Sequence, residues 1–286
     1  MNIVVIGKSG QLANEIMRLA GDDTVHCLGR DDINILDAVS LASVLNRFQP
    51  EGIINASAYT AVDKAESDQK NAYALNQTAV ENLATYAKLH HCHLVHVSTD
   101  YVFGGDKGSP YQVDESYDPQ GVYGASKAAG EKALLDIYPQ ASCILRTSWV
   151  YSNHGNNFVK TMLRLMAEKP ELGVIDDQIG SPTWAKDLAK ACIYAIKTRV
   201  SGVHHWTDNG VASWYDFAVA IQSLALEKGL LTHAIPIKPI PSSAYPTPAK
   251  RPHYSVLDKS TLASEFSGLA PQYWRKALSD MLDELS

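Results

Sequence analysis

"VVIGKSGQLANEI", residues 4–16, places two glycines and an alanine between an apolar run and the start of a helix. The run "NIVVI" (2–6) lacks polar alternation, the pattern of a strand buried on both faces of a parallel sheet. Gly7, Gly10 and Ala13 follow it with the spacing G-x-x-G-x-x-A. Glycine permits a tight turn and lets backbone N–H groups approach a pyrophosphate, whose charge a helix N-terminus favours. The commoner dinucleotide spacing is G-x-G-x-x-G, and glycine in a strand–helix turn is often turn chemistry alone. Placement after the first strand of a strand–helix series makes nucleotide binding the better reading.

That series extends outward from the turn. "TVHCL" (24–28), "GIINAS" (52–57), "LVHVS" (94–98) and "CILRTSWVY" (143–151) read as further strands. Helical segments at 37–48, 71–89 and around 120–134 lie between them. Strands alternating with helices imply right-handed crossovers and an α/β fold with a doubly wound parallel sheet. After about residue 152 the rhythm loosens: helices are expected at 156–168, 182–197 and 213–229, and residues 235–252 hold six prolines. So many prolines exclude a helix interior or a central strand. The expected division is a nucleotide-binding domain over 1–151 and, over 152–286, mainly a smaller substrate-binding lobe with some segments returning to the sheet.

Composition excludes several classes. The 286 residues are 45% hydrophobic and 20% charged, ordinary globular values, with a formal net charge of −6. An acidic chain argues against nucleic acid or an anionic membrane as partner, while a few local Arg and Lys still suit an anionic small molecule. No apolar run reaches membrane-spanning length, and the N-terminus enters a strand pattern at once. Cys27, Cys92, Cys143 and Cys192 show no paired spacing and read as buried thiols, so a cytoplasmic location is expected.

Two further stretches carry chemistry. In "QGVYGASKAAGEKAL" (120–134), Tyr123 and Lys127 stand four residues apart, on one face of a helix. An ordinary phenol has a pKa of about 10, and a nearby ammonium is expected to lower it, so that Tyr123 can protonate an alkoxide. In "VHVSTDYVFGG" (95–105) the strand ends in Ser98, Thr99, Asp100 and Tyr101, where open α/β sheets place ligands. At the end of the second strand, "CLGRDDIN" offers Arg30 beside Asp31 and Asp32. An Arg suits a ribose 2′-phosphate and an acid suits free ribose hydroxyls, so NADPH is preferred and NADH stays open.

Together with "NASAYTAVDKAE" (55–66), "RTSWVYSNHGNNFVKTMLRL" (146–165), "DQIGSPT" (177–183) and "SAYPTPAKRPHYSVLD" (243–258), these motifs resemble the extended short-chain dehydrogenase/reductase family, over essentially the whole chain. The resemblance implies a Rossmann-like domain, a C-terminal substrate lobe and reduction of the 4-keto group of dTDP-4-dehydro-L-rhamnose for cell-surface polysaccharide. It implies Tyr123, Lys127 and Thr99 as the catalytic group. Gly7, Gly10, Gln11, Leu12, Arg30, Ala56, Ala58, Tyr59 and Ser98 would lie along the cofactor, with Tyr123 and Lys127 at its nicotinamide end. Thr60, Val62, Thr99, Tyr101 and Trp149 would meet the sugar, and Asn157 and Arg251 the diphosphate. Some members bridge two subunits with Mg²⁺ on carboxylates. Glu15 and Glu284 match two such positions, but the third is Lys186, so no Mg²⁺ is expected and a homodimer is left open.

Other features have plainer explanations. "LHHCHLVH" (89–96) and "VHHW" (203–206) alternate across strands and cannot converge on one metal ion. "DKAESDQ" (63–69) reads as a solvated helix start. Competing functions are an epimerase or dehydratase of the same superfamily, and a nucleotide-binding regulatory subunit resembling the β subunit of methionine adenosyltransferase. "STDYVF" has no Glu after Asp100, which disfavours dehydration.

Overall fold

The computed structural model describes residues 1–285. An all-parallel sheet is built from β1 (Asn2–Ile6), β2 (Thr24–Leu28), β3 (Gly52–Asn55), β4 (His93–Thr99), β5 (Ser142–Thr147) and β6 (Gly202–His205), in the order β2-β1-β3-β4-β5-β6. The helices that matter here are α1 (Gln11–Arg18), α2 (Ala38–Phe48), α3 (Ala79–His90), α4 (Val122–Ile137), α5 (Phe158–Glu168), α6 (Ala185–Thr198), α7 (Trp214–Glu227) and α8 (Trp274–Asp283). The expected doubly wound sheet is therefore present, with its direction of winding reversing between β1 and β3. Ile6 and Asn55 end those two strands side by side, which opens a crevice at the reversal.

Period two explains why β1 is apolar throughout. Ile3 and Val5 face the layer of α1 and α6, packing with Ile16, Leu188 and Ile196. Val4 and Ile6 face the opposite layer with Leu41, Leu45 and Leu83 from α2 and α3. A separate core fills the lobe, where α5, α7 and α8 bring Met162, Phe217, Ile221 and Met281 around Tyr151 and Trp184.

Four local differences from the sequence pattern affect the site. The expected strand over 143–151 breaks after Thr147, because Trp149 adopts φ 49, and Val150–Tyr151 then pairs with Thr183–Trp184. The helix expected over 71–89 contains a π turn at Ala74–Thr78 before α3 begins. The alternating "VHHW" stretch joins the main sheet as β6; His204 and His205 are buried in it, their ring nitrogens satisfied by Thr261, Ser201 and the Asp258 carbonyl. Within the proline-rich stretch, Ile237–Ile240 pairs with Leu172–Ile175 in a two-stranded sheet, where Pro239 has no inner ladder to interrupt. Among the described residues, no helix is long and apolar enough to cross a membrane.

A buried ion pair fixes α4 on the sheet. Arg146 of β5 donates from Nη2 to Glu131 Oε2 at 2.7 Å, and its Nε lies 3.1 and 3.0 Å from the two carboxylate oxygens. Ser98 and Tyr117 also donate to Glu131, and Arg146 donates to the Val113 carbonyl at 2.9 Å. Removing one member of such a pair leaves an uncompensated buried charge. Glu131→Gln is expected to lower the unfolding free energy by about 3–5 kcal/mol, measured from urea midpoints. A loss below about 1 kcal/mol would show that Arg146 tolerates burial without its partner.

Candidate active site

The crevice beside β1 is shaped by a turn that only glycine makes easily. Gly7 has φ 117, and a Cβ there would stand 3.0 Å from the Ala56 carbonyl. The N–H groups of Gly7 and Lys8 both donate to the Leu28 carbonyl, at 2.9 and 3.2 Å, which ties the turn to β2. Gly10 precedes α1 without offering a side-chain cap, and the first turn carries no acid. Its N–H groups are therefore free for an outside anion. A cleft of about 830 Å³ runs from Gly7 and Gly10 to Ala56, Ala58, Tyr59 and Thr60, with Arg30 along its border. Asp32 accepts from the Gly29 N–H at 2.9 Å and from Lys8 Nζ at 3.3 Å, whereas Arg30 forms no ion pair among the described residues.

Three of the expected cofactor contacts have side chains committed elsewhere. Leu12 is buried in the core behind the turn. Gln11 donates to the Val150 carbonyl and accepts from Ser152 and Asn157, tying α1 to the lobe. Ser98 donates to Glu131 and is buried. Asn157, expected at the diphosphate, caps α5 by accepting from the Lys160 N–H at 3.1 Å, and its amide donates to Gln11 and the Ser152 carbonyl. These four are placed around the site and hold its walls together.

Thr99, Tyr123 and Lys127 do come together at the end of β4. The Thr99 hydroxyl donates to Asp100 Oδ1 at 2.9 Å and lies within hydrogen-bond reach of the Tyr123 phenol. Gly124 makes this closeness possible: a Cβ there would stand 2.1 Å from the Tyr101 carbonyl oxygen. Lys127 is fully buried and donates to the Val97 carbonyl at 2.7 Å, with His96 Nε2 at 3.2 Å. His96 in turn meets the Asn55 amide at 3.1 Å, so a polar chain runs from Lys127 to the end of β3.

The electrostatics correct one expectation. Burial pushes the Tyr123 phenol above its ordinary value; the Thr99 hydrogen bond opposes this, while the Asp100 charge adds to it. The ammonium does not depress it, because Lys127 is turned to Val97 and His96. Burial pushes Lys127 itself down to about 8, against the pull of Glu131. Burial also raises Asp100 to about 6, resisted by hydrogen bonds from Ser255 and Thr99. Tyr123 thus keeps its proton across the neutral range and is set to give one to a stronger base.

A second cavity of about 730 Å³ lies in the lobe, with Tyr101, Trp149 and Arg251 on its wall. The rings of Trp149 and Trp214 stack with centroids 3.6 Å apart and 9° between planes. Tyr101 meets Tyr123 edge to face at 5.4 Å, which links the cavity to the catalytic group. Thr60 borders the first cleft and Asp63 the second, while Val62, between them in the chain, lines neither.

Two residues were passed over in the sequence. Trp214 reads there as one more apolar helix position. Asp63, read as a solvated helix acid, instead accepts from Arg251 Nη2 at 2.6 Å and from the Ala249 N–H at 3.2 Å. Its only signal was the motif "AYTAVDKAE", since a contact across 188 residues leaves no local pattern.

Residues 1–286 match the family described as RmlD substrate binding domain. A dTDP-4-dehydrorhamnose reductase of Aggregatibacter actinomycetemcomitans is 40% identical over 288 residues, spanning 98% of this chain and 97% of that one. A solved dTDP-4-dehydrorhamnose reductase of Clostridium acetobutylicum superposes with a TM-score of 0.93 at 36% identity, covering 100% of this chain and 99% of the other. A third, from Bacillus anthracis in complex with NADP, gives 0.92 at 33% identity, covering 99% and 98%.

The shifted lysine is open to direct measurement. In protein carrying ¹³C at lysine Cε, one resonance is expected to titrate near pH 8 and to be missing from Lys127→Met. A set of lysines titrating entirely above about pH 10 would mean that the ammonium keeps its ordinary affinity for the proton.

Proposed function

This chain belongs to the RmlD substrate binding family, and on that premise we propose that it reduces dTDP-4-dehydro-L-rhamnose to dTDP-L-rhamnose with NADPH, for cell-surface polysaccharide. The observation that carries this is a buried Tyr123 beside Thr99 at the end of β4, with a cleft beside the glycine turn and an aromatic cavity reaching Tyr101. The bound nicotinamide supplies a hydride to carbon 4 of the sugar. Tyr123 then gives its proton to the carbonyl oxygen, and Thr99 orients that oxygen by hydrogen bonding. Lys127, held by the Val97 carbonyl and His96, is assigned to the nicotinamide end of the cofactor.

We assign the cofactor to the first cleft, with Gly7 and Gly10 at its pyrophosphate, and Ala56, Ala58 and Tyr59 along its length. Arg30 favours NADPH over NADH: its guanidinium has no partner among the described residues, while Asp32 is occupied by Gly29 and Lys8. Thr60, at the edge of the first cleft, Val62, and Tyr101, Trp149 and Arg251 of the second are assigned to the sugar nucleotide; most of the second cavity's wall comes from residues after about 152, which we take as mainly the substrate-binding part. Gln11, Leu12, Ser98 and Asn157 support these contacts without making them through their side chains.

Mg²⁺ does not fit the Glu15–Glu284 position. Lys186 Nζ lies 2.7 Å from Glu284 Oε1, and Arg18 Nη1 lies 2.7 Å from Oε2. Both Glu284 oxygens are thus taken by cations, and burial raises Glu15 toward its neutral form. We infer that any homodimer here forms without a bridging metal. Four unpaired cysteines, three of them buried, suit the reducing cytoplasm.

The assay mixes purified protein with dTDP-4-dehydro-L-rhamnose and NADPH in EDTA, following the nicotinamide absorbance. Steady oxidation is expected without added metal, and Tyr123→Phe is expected to slow it by about 10²–10⁴ while cofactor affinity holds. A flat trace with tight nucleotide binding would favour the regulatory-subunit reading. In the same assay Arg30→Ala should raise KM for NADPH by about 10–100-fold and leave that for NADH nearly unchanged. Equal losses for both cofactors would remove the 2′-phosphate from Arg30.

A further inference from the structure

Asp63 and the segment 249–251 meet across the mouth of the aromatic cavity. The carboxylate uses both oxygens: Oδ1 accepts from the Ala249 N–H at 3.2 Å and Oδ2 from Arg251 Nη2 at 2.6 Å. Arg251 Nη1 donates to the Tyr101 hydroxyl at 3.2 Å, and Tyr101 packs edge-on against Tyr123. The segment is tied down on either side as well. Ser242 is held by Asp177 through its N–H and hydroxyl, at 2.9–3.0 Å, and the Tyr254 N–H donates to the Gly105 carbonyl at 2.8 Å. Between those points the chain is rich in proline and mostly exposed, with Lys250 reaching Gln120 at 3.3 Å and Asp106 at 3.6 Å.

We propose that Asp63 is a positioning residue that fastens this segment over the cavity and aims Arg251 at the diphosphate of the bound nucleotide. The proposal rests on the assignment of Arg251 to that diphosphate. A surface ion pair by itself contributes little. Here one carboxylate grips two points two residues apart, so it fixes backbone and guanidinium together. Arg251 has five N–H donors; with two engaged by Asp63 and Tyr101, the remaining three are held in one orientation. A guanidinium ordered before binding does not lose its rotamer freedom on binding. An acid beside a diphosphate also repels it, so the sign of the effect separates the two roles. Preorganisation makes loss of Asp63 weaken binding, and competition makes it strengthen binding.

The test compares the parent, Asp63→Ala and Asp63→Asn. Trypsin cutting after Lys250 reports the segment directly, without any turnover. It is expected to quicken about tenfold in Asp63→Ala, as an unfastened segment opens more often. Calorimetry with dTDP should show Kd weaker by about tenfold in Asp63→Ala, and by less in Asp63→Asn, which keeps an oxygen for the Ala249 N–H. KM for the sugar nucleotide should rise in parallel, with kcat within about twofold and NADPH affinity unchanged. Unchanged cleavage, or tighter dTDP binding in Asp63→Ala, overturns the proposal. If the parent binds no dTDP while cleavage still quickens, the fastening stands and the diphosphate assignment fails. Should Asp63→Ala not fold, Asp63→Asn decides by the same two signs.

Discussion

Glu131 and Arg146, paired in the interior between α4 and β5, set the distance on which the site depends. The carboxylate also receives Ser98, the penultimate residue of β4, so the strand carrying Thr99 and the helix carrying Tyr123 are bound to one group. Arg146 is held in turn between the rings of Phe103 and Tyr117, with its carbon 4.9 and 5.2 Å from the ring centres. A buried ion pair is a poor source of net stability, because desolvating two charges costs about what their attraction returns. Its value is geometric. Directional bonds to one carboxylate fix the helix against the strands more narrowly than apolar packing would, and Tyr123 meets Thr99 across that same contact.

Burial acts on both members of the Tyr–Lys pair in the same direction, toward the neutral form. It raises the phenol and lowers the ammonium, so the two groups respond to desolvation more than to one another. The unliganded protein therefore holds Tyr123 as a secure acid. Lys127 is satisfied by a backbone carbonyl and by His96, itself held neutral by burial. A phenol that ionised early would lose its proton to water before the sugar oxygen needed it.

Strands β1 to β4, the glycine turn and the Tyr–Lys–Thr group were legible because each is local. An apolar run, a turn residue and an i,i+4 spacing are all properties of fewer than about a dozen neighbours. What escaped was long-range or conformational. The alternation of "VHHW" shows a strand but not its place in the main sheet, since His204 and His205 are polar in sequence yet buried in place, each ring satisfied by distant groups. The π turn arises where Asn76 is gripped by Tyr59 on one side and Ser126 of α4 on the other, a constraint no helical pattern encodes. Ser98 and Asn157 carry side chains suited to ligand contact, and nothing local in the sequence shows that they bond to Glu131 and to the start of α5. Composition identifies which side chains can bind; packing decides which remain free to do so.

The same register that builds the sheet also places the aromatic wall near the hydroxyls of Thr99 and Tyr123. Thr99 sits opposite Thr147 at the last pairing of β4 with β5, and Trp149 lies two residues beyond. There the chain leaves the sheet through a left-handed residue, a conformation a bulky side chain adopts only when its surroundings demand it. The demand comes from three directions: Trp214 stacks on the indole, Gly180 leaves room beneath it, and the Thr183 N–H donates to the Trp149 carbonyl at 3.2 Å. A Cβ at Gly180 would stand 2.7 Å from the indole and force it out of the stack. The lobe thus spends its packing on one unfavourable backbone angle. In exchange, the aromatic wall of the second cavity is measured from the same strand end as Thr99.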